Sequence, residues 1–435
     1  MAINRRKFLA ASCVASTLLN CGPTISLARA NSRSPWITKN NTIKIGMLWS
    51  LTGHLSVIEK PSRDVGLFWV DKINKNGGIA GFQIEPIVID AKSDMKTYRQ
   101  GIQELMLKEN VLATFGGYTS ASRRAVMPLV TLNNGLFYYP TCYEGRECWQ
   151  HIICTGPIAN QHSYDLIPYM VNKFGPRAYF VGSNYVWPRE SNRNAQRWLD
   201  NAQGSLVGES YMPLGLGGFD KIFQKIKELK PDWIFSTVVG DSDIYFRKEY
   251  IKAGFTPDIL PTASLTTSEM EVKLMGAEFG EGHILSAPYF QSLQSETNYK
   301  FVQEFLASQY GDSGVTHYNM EETYLTFLYF KKAVETLVEQ AGEISISPSN
   351  VRHYSAGQEL SEDESPEGRV KIDSKNFNSW LTPKIGKFDA DGQIKLLFQQ
   401  IQPIPPDPYI LYPQRGECTA SGLLLPNGNL IKASS

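Results

Sequence analysis

The chain carries no excess of charge of either sign. Its 435 residues include 43 lysines and arginines against 43 aspartates and glutamates, so the formal net charge at pH 7 is zero. Proteins that bind nucleic acid or an anionic membrane surface neutralise phosphates with an excess of basic residues. The charge balance therefore gives no support to such partners, and we expect no nucleic-acid partner.

Long apolar runs are also missing after the N-terminus. A helix that spans a bilayer needs roughly 20 consecutive apolar residues, and no segment beyond residue 30 offers them. We therefore expect the mature chain to be soluble.

The first 30 residues are typical of an export signal. Residues 4–7 (Asn-Arg-Arg-Lys) are basic, residues 8–19 are mostly apolar, and residues 28–30 (Ala-Arg-Ala) offer a small-x-small cleavage site. This pattern predicts a twin-arginine export signal over residues 1–30 and a periplasmic mature protein. A lipoprotein signal acylated at Cys21 is the alternative.

Cysteine is scarce, and its spacing indicates no metal site. Four cysteines remain after the signal, Cys142, Cys148, Cys154 and Cys418. An oxidising compartment permits disulfides, and four cysteines allow three complete pairings among which the sequence does not choose. The spacing fits none of the usual zinc patterns. The sequence favours a local disulfide or buried thiols, and no metal.

No enzyme motif is complete. Residues 311–314 (Gly-Asp-Ser-Gly) resemble a serine-protease fragment but lack a spaced histidine and aspartate. Residues 215–218 (Gly-Leu-Gly-Gly) lack the full dinucleotide fingerprint. An amidase with Cys142 as nucleophile would need a base and a cationic partner, which no motif supplies. We expect no catalytic residue and no cofactor, with an amidase as the alternative.

Strand patterns alternate with amphipathic helix patterns along most of the chain. About 405 mature residues exceed what one core usually supports, so two lobes are expected. Two successive series of alternating elements predict an α/β fold with two doubly wound parallel sheets. The predicted strands are residues 43–49, 84–90, 111–115, 178–181, 206–211 and 233–239, and the predicted helices are residues 62–74, 97–109, 163–173, 191–201, 220–229, 243–253, 298–310 and 320–341. Short strands or hairpins follow over residues 371–408.

Three of the predicted strands end in clusters of phenols and hydroxyls. Residues 116–120 (Gly-Gly-Tyr-Thr-Ser) follow one strand, residues 138–145 follow the apolar run that ends near Phe137, and residues 182–188 follow a third strand. In open α/β sheets, ligands bind outside the carboxyl ends of the strands. These clusters predict a pocket for a small uncharged molecule.

Several short blocks stand in order along the chain between about residues 43 and 409. They are Ser122-Arg123-Arg124-Ala125-Val126-Met127-Pro128, Tyr139-Pro140-Thr141, Tyr143-Glu144-Gly145, Gly156-Pro157, Asn160-Gln161, Pro188-Arg189-Glu190-Ser191-Asn192, Ser236-Thr237-Val238-Val239-Gly240, Ala263-Ser264-Leu265-Thr266-Thr267-Ser268-Glu269, Ala287-Pro288-Tyr289-Phe290, Pro366-Glu367-Gly368 and Pro406-Asp407-Pro408. Together these blocks resemble the short-chain amide and urea receptors of the type I periplasmic-binding-protein superfamily, and most of all the aliphatic amide receptors of amidase operons. Gly240-Asp241-Ser242 instead resembles the urea-transporter binding proteins.

The resemblance implies two lobes, joined by three crossovers, that close on a ligand. Lobe I is expected over residues 43–156 and 286–345, lobe II over residues 157–285 and 346–413, and a C-terminal tail over residues 414–435. Gly156-Pro157 is a plausible hinge, because hinges need only a few residues that absorb backbone rotation.

The resemblance also implies the ligand-binding residues. They are Tyr118, Ser120, Tyr139, Thr141, Tyr185 and Trp187, with Val239, Gly240 and Thr267 as second-rank contacts from the other lobe. Two residues depart from the amide receptors, since Cys142 stands in place of a proline and Trp187 in place of a tyrosine. Glu144 is expected to cap a turn or pair with an arginine, and Arg123 and Arg124 to lie at the surface or between packed lobes.

The implied function is capture of a small neutral amide or urea for delivery to an ABC transporter permease. The export signal argues against a cytoplasmic regulatory role. The alternative function is that of a periplasmic amide sensor, whose partner is a membrane signalling protein. The sequence also allows a homodimer.

Overall fold

Two β-sheets organise the molecule, which is described here by a computed structural model. The structure describes residues 33–419, 422–425 and 427–432, and the proposed export signal lies outside these residues. The strands are β1 Thr42–Trp49, β2 Gln83–Asp90, β3 Ala113–Gly116, β4 Phe137–Tyr139, β5 Ile152–Cys154, β6 Arg177–Ser183, β7 Ser205–Met212, β8 Trp233–Thr237, β9 Thr262–Ser264, β10 Ile284–Ala287, β11 Glu359–Leu360, β12 Val370–Ile372, β13 Ser379–Trp380, β14 Lys384–Phe388, β15 Ile394–Gln399, β16 Glu417–Thr419, β17 Gly422–Leu424 and β18 Leu430–Lys432.

Thirteen α-helices alternate with these strands in the described part of the chain. They are α1 Ser56–Lys75, α2 Met95–Gln103, α3 Ser120–Leu132, α4 Ala159–His162, α5 Leu166–Phe174, α6 Val186–Asn201, α7 Asp220–Leu229, α8 Asp241–Lys252, α9 Glu269–Met275, α10 Ala277–Gly280, α11 Glu296–Leu306, α12 Tyr318–Ala341 and α13 Pro348–Ser355. A π-helical turn, Glu104–Lys108, extends α2, and 3-10 turns lie at Gly311–Ser313, Glu343–Ser345 and Pro413–Arg415.

The first sheet has five parallel strands in the order β2-β1-β3-β4-β5. The second has seven strands in the order β15-β14-β10-β9-β8-β6-β7, in which β14 runs antiparallel to both of its neighbours, β10 and β15. We call the first sheet with its helices lobe I and the second sheet with its helices lobe II. The predicted α/β fold is confirmed.

The core of lobe I explains why α12 belongs to it. Phe327 of α12 stacks on Phe115 of β3 at 4.2 Å and on Trp69 of α1 at 5.0 Å, measured between ring centroids. Phe115 also stacks on Tyr138 of β4 at 4.8 Å. Aromatic stacking adds to the large apolar area that these side chains bury. α12 is therefore held on the same face of the sheet as α1.

The sheets place the lobe limits differently from the expected ranges. β10 pairs with β9 and β14, so Ser286 and Ala287 lie in the sheet of lobe II. α13 packs on α12, so residues 348–355 lie with lobe I. The chain passes between the lobes at residues 155–158, at residues 288–295 and at residues 381–383. The expected limits at 286 and 345 shift accordingly.

One disulfide, between Cys148 and Cys418, joins two distant parts of the chain. The two residues are 270 positions apart in sequence and their Cα atoms are 5.4 Å apart. Cys142 and Cys154 are free, buried thiols. Of the two possibilities that the sequence favoured, buried thiols are found at Cys142 and Cys154. The local disulfide is not, because the C-terminal segment folds back onto the loop between β4 and β5 and brings Cys418 to Cys148.

Candidate ligand-binding site between the lobes

The strand ends of lobe I bring Tyr118 and Tyr139 together. β3 and β4 are parallel neighbours, so the residues that follow them emerge at the same edge of the sheet. The Tyr139 hydroxyl donates to the backbone oxygen of Tyr118 at 2.7 Å. Both phenols are buried. The tyrosines form one wall of the site.

A buried arginine supports this wall from behind. The guanidinium of Arg123 lies 5.1 Å from the ring centroid of Tyr139 and 4.4 Å from that of Tyr143. It pairs with Glu144 at 3.2 Å and with Glu147 at 2.9 Å. Arg123 is fully buried, so of the two expected places, at the surface or in the packing of a lobe, the structure has the second. Stacking on two aromatic rings and pairing with two carboxylates stabilise the charge of Arg123, which would otherwise be costly to bury.

Ser120 belongs to the same network. Its hydroxyl donates to Glu144 and accepts from Arg123 Nη1 at 3.0 Å. Arg124, half exposed, pairs with Glu144 at 2.7 Å. The expectation that Glu144 pairs with an arginine is therefore confirmed. The Ser120 hydroxyl is committed to the protein, whereas the sequence placed it among the ligand contacts.

Thr141 offers a hydroxyl without such a commitment. The residue is 1% exposed. Its Oγ1 has no oxygen or nitrogen partner among the described residues, and the thiol of Cys142 lies beside it. A buried hydroxyl without a partner carries a cost of ~1–3 kcal/mol, which a bound ligand can remove.

Lobe II contributes the opposite wall. Tyr185 immediately precedes α6, Trp187 lies in its first turn, and Val239 follows β8. Trp187 and Val239 are buried in the same apolar cluster as Tyr118 and Tyr139, and Tyr185 packs against that cluster. The predicted residues of the two lobes are thus brought together.

The phenol of Tyr185 in lobe II lies close enough to that of Tyr118 in lobe I to affect its pKa. Burial raises the pKa of Tyr118, and the neighbouring Tyr318, Cys142, Glu271 and Tyr185 add to this effect. Burial likewise raises the pKa of Tyr185, with Cys142 as the next cause. Neutral phenols can both donate and accept a hydrogen bond.

Two second-rank residues lie at the margin of the site. Gly240 has φ of 61°, a conformation that favours glycine, and a Cβ at this position would lie 3.1 Å from the backbone oxygen of His54. The Thr267 hydroxyl donates to Asp243 at 2.7 Å and accepts from Arg247 at 2.9 Å. The hydroxyl of Thr267 thus belongs to a buried network inside lobe II.

The structure adds three residues that sequence reasoning missed. Tyr318 at the start of α12 donates to the backbone oxygen of Thr266 at 3.0 Å and so connects the lobes. Glu271 of α9 and Glu322 of α12 are buried and close enough to raise the pKa of Tyr318. Ser268 and Glu271 form a capping box, a pattern readable in the sequence, but that pattern indicates a helix start and not a site.

The carboxyl groups of these two glutamates are kept protonated. Burial raises the pKa of Glu271 to about 8, and the charge of Asp243 adds to this shift. Burial also raises the pKa of Glu322 well above its usual value, with Glu367 as the second cause. Both carboxyl oxygens of Glu322 and Oε1 of Glu271 have no hydrogen-bonding partner within the described residues. Protonated carboxyl groups can donate to a carbonyl oxygen and accept from an N–H group.

A glycine fixes the distance between the first crossover and the site. A Cβ on Gly156 would lie 2.2 Å from the backbone carbon of Thr141 and 2.5 Å from the backbone nitrogen of Cys142. Only glycine permits such a close approach of two backbones. The crossover is thus packed directly against the loop that carries Thr141.

Neither a metal site nor a membrane-spanning helix is found among the described residues. Across residues 33–419 and the described parts of the tail, no cluster of histidine, cysteine, aspartate and glutamate has a geometry suited to a metal ion. Over the same residues, no helix has both the length and the apolar character needed to cross a membrane.

Comparison with solved structures shows the same fold in solute-binding proteins of ABC transporters. One from Rhodopseudomonas palustris, in complex with p-hydroxybenzoic acid, superposes with a TM-score of 0.75 at 20% identity and covers 84% of this chain and 98% of its own. A branched-chain amino acid transporter substrate-binding protein from Streptococcus pneumoniae, in complex with isoleucine, gives a TM-score of 0.72 at 17% identity and covers 84% of this chain and 100% of its own. At these identities the likeness shows the fold.

Among curated proteins, a limonene hydroxylase from Geobacillus stearothermophilus is 29% identical over 134 residues. The match covers 31% of this chain and only 23% of the length of that protein. The profile of the family described as "Periplasmic binding protein domain", in contrast, matches residues 43–415. A family of binding proteins thus accounts for nearly the whole described chain, and the two sheets with strand ends that face each other are its type I architecture: the chain belongs to the periplasmic binding protein domain family.

Proposed function

We propose that this protein captures a small neutral amide, either urea or a short-chain aliphatic amide, between its two lobes and delivers it to an ABC transporter permease. The solved relatives of the same fold are described as ABC-transporter solute-binding proteins, which supports the transport partner. The chemistry of the site supports an amide as the ligand.

The charges around the site support a neutral ligand above all. Arg123 is the cation whose charge reaches the phenols of Tyr139 and Tyr185. It is already paired with two carboxylates. Arg247, the buried cation whose charge reaches Glu271, already faces Asp243 at 3.7 Å. A carboxylate ligand near Glu271 and Glu322 would therefore compete with Asp243, Glu144 and Glu147 for a cation, and burying a charge without a partner of its own is costly. An acid or zwitterion fits this site less well than a neutral amide does.

The hydrogen-bonding groups suit an amide. A primary amide offers one carbonyl acceptor and N–H donors in one plane. The hydroxyl of Thr141 and the phenols of Tyr118 and Tyr185 can each donate or accept, and protonated Glu271 can do both. Trp187 and Val239 supply apolar walls that exclude water.

The size of the ligand bounds its affinity. The best small ligands gain roughly 1.5 kcal/mol per heavy atom, so a four-atom molecule such as urea or acetamide reaches about 6 kcal/mol. This corresponds to a dissociation constant of roughly tens of micromolar. Much tighter binding would indicate a larger amide.

Replacement of Thr141 by valine tests the site with little change of shape. Because the buried hydroxyl has no oxygen or nitrogen partner within the described residues, we expect Thr141→Val to raise the free energy of unfolding of the ligand-free protein by up to ~1–3 kcal/mol. Loss of a hydrogen bond to the ligand should weaken binding of acetamide or urea about 5- to 50-fold. Isothermal titration calorimetry gives the affinity, and unfolding in guanidinium chloride, which avoids urea as a candidate ligand, gives the stability.

Thr267→Val is the matched control. Its hydroxyl is hydrogen-bonded to Asp243 and Arg247, so its loss should lower the free energy of unfolding by ~1–3 kcal/mol. Affinity should change less than in Thr141→Val. Equal amide affinity in Thr141→Val and the wild type would contradict the placement of the ligand against this hydroxyl.

A further inference from the structure

The lobes also touch at a place beside the proposed ligand site. Arg146, in the loop between β4 and β5 of lobe I, pairs with Glu190 on α6 of lobe II at 2.6 Å. The side chain of Glu190 is 8% exposed and that of Arg146 is 25% exposed. The pair is thus largely shielded from solvent and from the screening that weakens surface ion pairs.

A tyrosine from the C-terminal segment completes this contact. The Tyr412 hydroxyl donates to Glu190 Oε2 at 2.8 Å. The guanidinium of Arg146 lies 4.4 Å from the centroid of the Tyr412 ring. The carboxylate of Glu190 is therefore ion-paired with Arg146 and accepts a hydrogen bond from Tyr412, and the arginine and the tyrosine stack on each other.

The C-terminal segment is fastened to the loop that carries Arg146. The backbone N–H of Arg146 donates to the carbonyl of Pro408 at 2.7 Å. A Cβ on Gly145, whose φ is 74°, would lie 2.6 Å from the same carbonyl oxygen. The Cys148–Cys418 disulfide adds a covalent connection. The segment also reaches lobe II, where Arg197 of α6 donates to Ile410 O at 2.7 Å.

The position of the contact separates it from the ligand. Glu190 lies one helical turn after Trp187 on α6, and Arg146 lies four residues after Cys142. Both residues stand on elements that begin at the facing strand ends, so a rotation that opens the lobes separates them. The ion pair contributes to the closed arrangement and not to the open one.

We propose that Arg146, Glu190 and Tyr412 form an inter-lobe latch that sets the equilibrium between the open and the closed arrangement, and that they are positioning residues for ligand capture. The proposal rests on the proposed function in that the ligand binds between the lobes. A ligand that binds the closed arrangement has an apparent affinity that scales with the population of that arrangement. The latch thus tunes affinity for every ligand alike, whereas the pocket residues choose among ligands.

The free thiol of Cys142 reports on opening. It is 7% exposed, and Tyr185 of lobe II lies close enough to be influenced by its charge. Cys154, in β5, is 1% exposed and lies within lobe I. Opening of the lobes should therefore expose Cys142 to alkylation, whereas Cys154 reacts only when lobe I unfolds.

The test is the rate at which N-ethylmaleimide labels each cysteine, followed by peptide mass spectrometry in the oxidised, full-length mature protein. This reagent is not a short-chain primary amide, so it does not itself act as the proposed ligand. Glu190→Gln keeps the size of the side chain and an oxygen for Tyr412 but removes the charge that pairs with Arg146. We expect Cys142 to be labelled about three- to tenfold faster than in the wild type, with the Cys154 rate unchanged. Titration of both proteins with urea and acetamide should show weaker binding by a similar factor.

Arg193→Gln is the matched control. Arg193 pairs with the same carboxylate at 2.8 Å from one turn along the same helix, so opening leaves that pair intact. The substitution also removes a long 3.4 Å contact with the Tyr412 hydroxyl. We expect at most about a twofold change in the Cys142 rate.

Any of three results would overturn the proposal. The first is that Cys142 is labelled in Glu190→Gln at the wild-type rate, and the second is that the labelling rates of Cys142 and Cys154 rise together. The third is that Arg193→Gln changes the Cys142 labelling rate as much as Glu190→Gln does. If neither urea nor acetamide binds the wild type, the proposed function fails by itself. The labelling rates test the latch in that case too, because they need no ligand.

Discussion

Replacement of Arg123 by alanine should lower the free energy of unfolding by ~3–5 kcal/mol. Removal of one partner of a buried ion pair leaves the other charge unpaired, which is more costly than the pair itself is favourable. Glu144 and Glu147 would each lose a bond to the guanidinium, and Tyr139 and Tyr143 would lose the group stacked on their rings. Chemical unfolding monitored by circular dichroism measures the loss.

The pKa of Glu147 shows how strongly this network holds its charges. Burial acts to raise this pKa, but the attraction of Arg123 and then of Arg124 lowers it below its ordinary value. The carboxylate therefore stays ionised in the folded protein. Alanine at position 123 removes the larger of these two attractions.

Arg124→Ala supplies the control for this prediction. Arg124 contacts the same two carboxylates, at 2.7 Å for Glu144 and 2.6 Å for Glu147, but its side chain is 42% exposed. Exposed ion pairs contribute ~0–1 kcal/mol. A similar loss of stability in both variants, or a loss below about 1 kcal/mol in Arg123→Ala, would contradict the buried role of Arg123.

Loss of the Cys148–Cys418 disulfide should have a comparable effect. A bond that joins residues 270 positions apart restricts the unfolded chain over most of its length. Removal of a native disulfide of an exported protein typically costs ~2–5 kcal/mol. We expect Cys148→Ser to lower the denaturation midpoint in guanidinium chloride under oxidising conditions.

Three stability measurements test whether Cys148 is bonded to Cys418. Cys148→Ser, Cys418→Ser and the reduced wild type should share one stability, because each lacks the same bond. Cys154→Ala removes a buried free thiol and should cost less. If a reducing agent still destabilises Cys148→Ser, another pair of cysteines carries the bond.

The order of strands and helices was readable from the sequence because hydrophobic periodicity depends on local pattern. The predicted strand at residues 43–49 became β1, Thr42–Trp49. The first helix starts at Ser56 and not at residue 62. Proline is disfavoured in the interior of a helix, yet the structure accommodates Pro61 inside α1.

The site was readable where it depends on strand ends and hidden where it depends on partners from elsewhere in the chain. Tyr118 follows β3 and Tyr139 ends β4, and parallel neighbouring strands bring such residues to one edge, while Tyr185 follows β6 of the other sheet. The burial of Arg123 was not readable, because its partner Glu147 lies 24 positions away in a loop. Glu322 lies near the start of a helical pattern, which gives no indication of the lobe edge that it faces.

For the same reason, the disulfide to Cys418 and the contacts between the lobes could not be predicted from local sequence pattern. Between Arg146 and Glu190 the chain forms β5, α4, α5 and β6. Only the three-dimensional arrangement of the lobes shows that they meet. Sequence periodicity carries no information about such contacts, because it describes one element at a time.

The measurement that tests the central claim most directly is a calorimetric titration of the mature protein, from Asn31 onward, with acetamide, urea, acetate, 4-hydroxybenzoate and isoleucine. Acetate has the shape of acetamide but carries a charge. The last two compounds represent the ligands of the solved relatives. We predict binding of acetamide or urea with a dissociation constant of roughly tens of micromolar and no heat from the other three compounds. Binding of an acid or of the amino acid, with none of either amide, would contradict the proposed function.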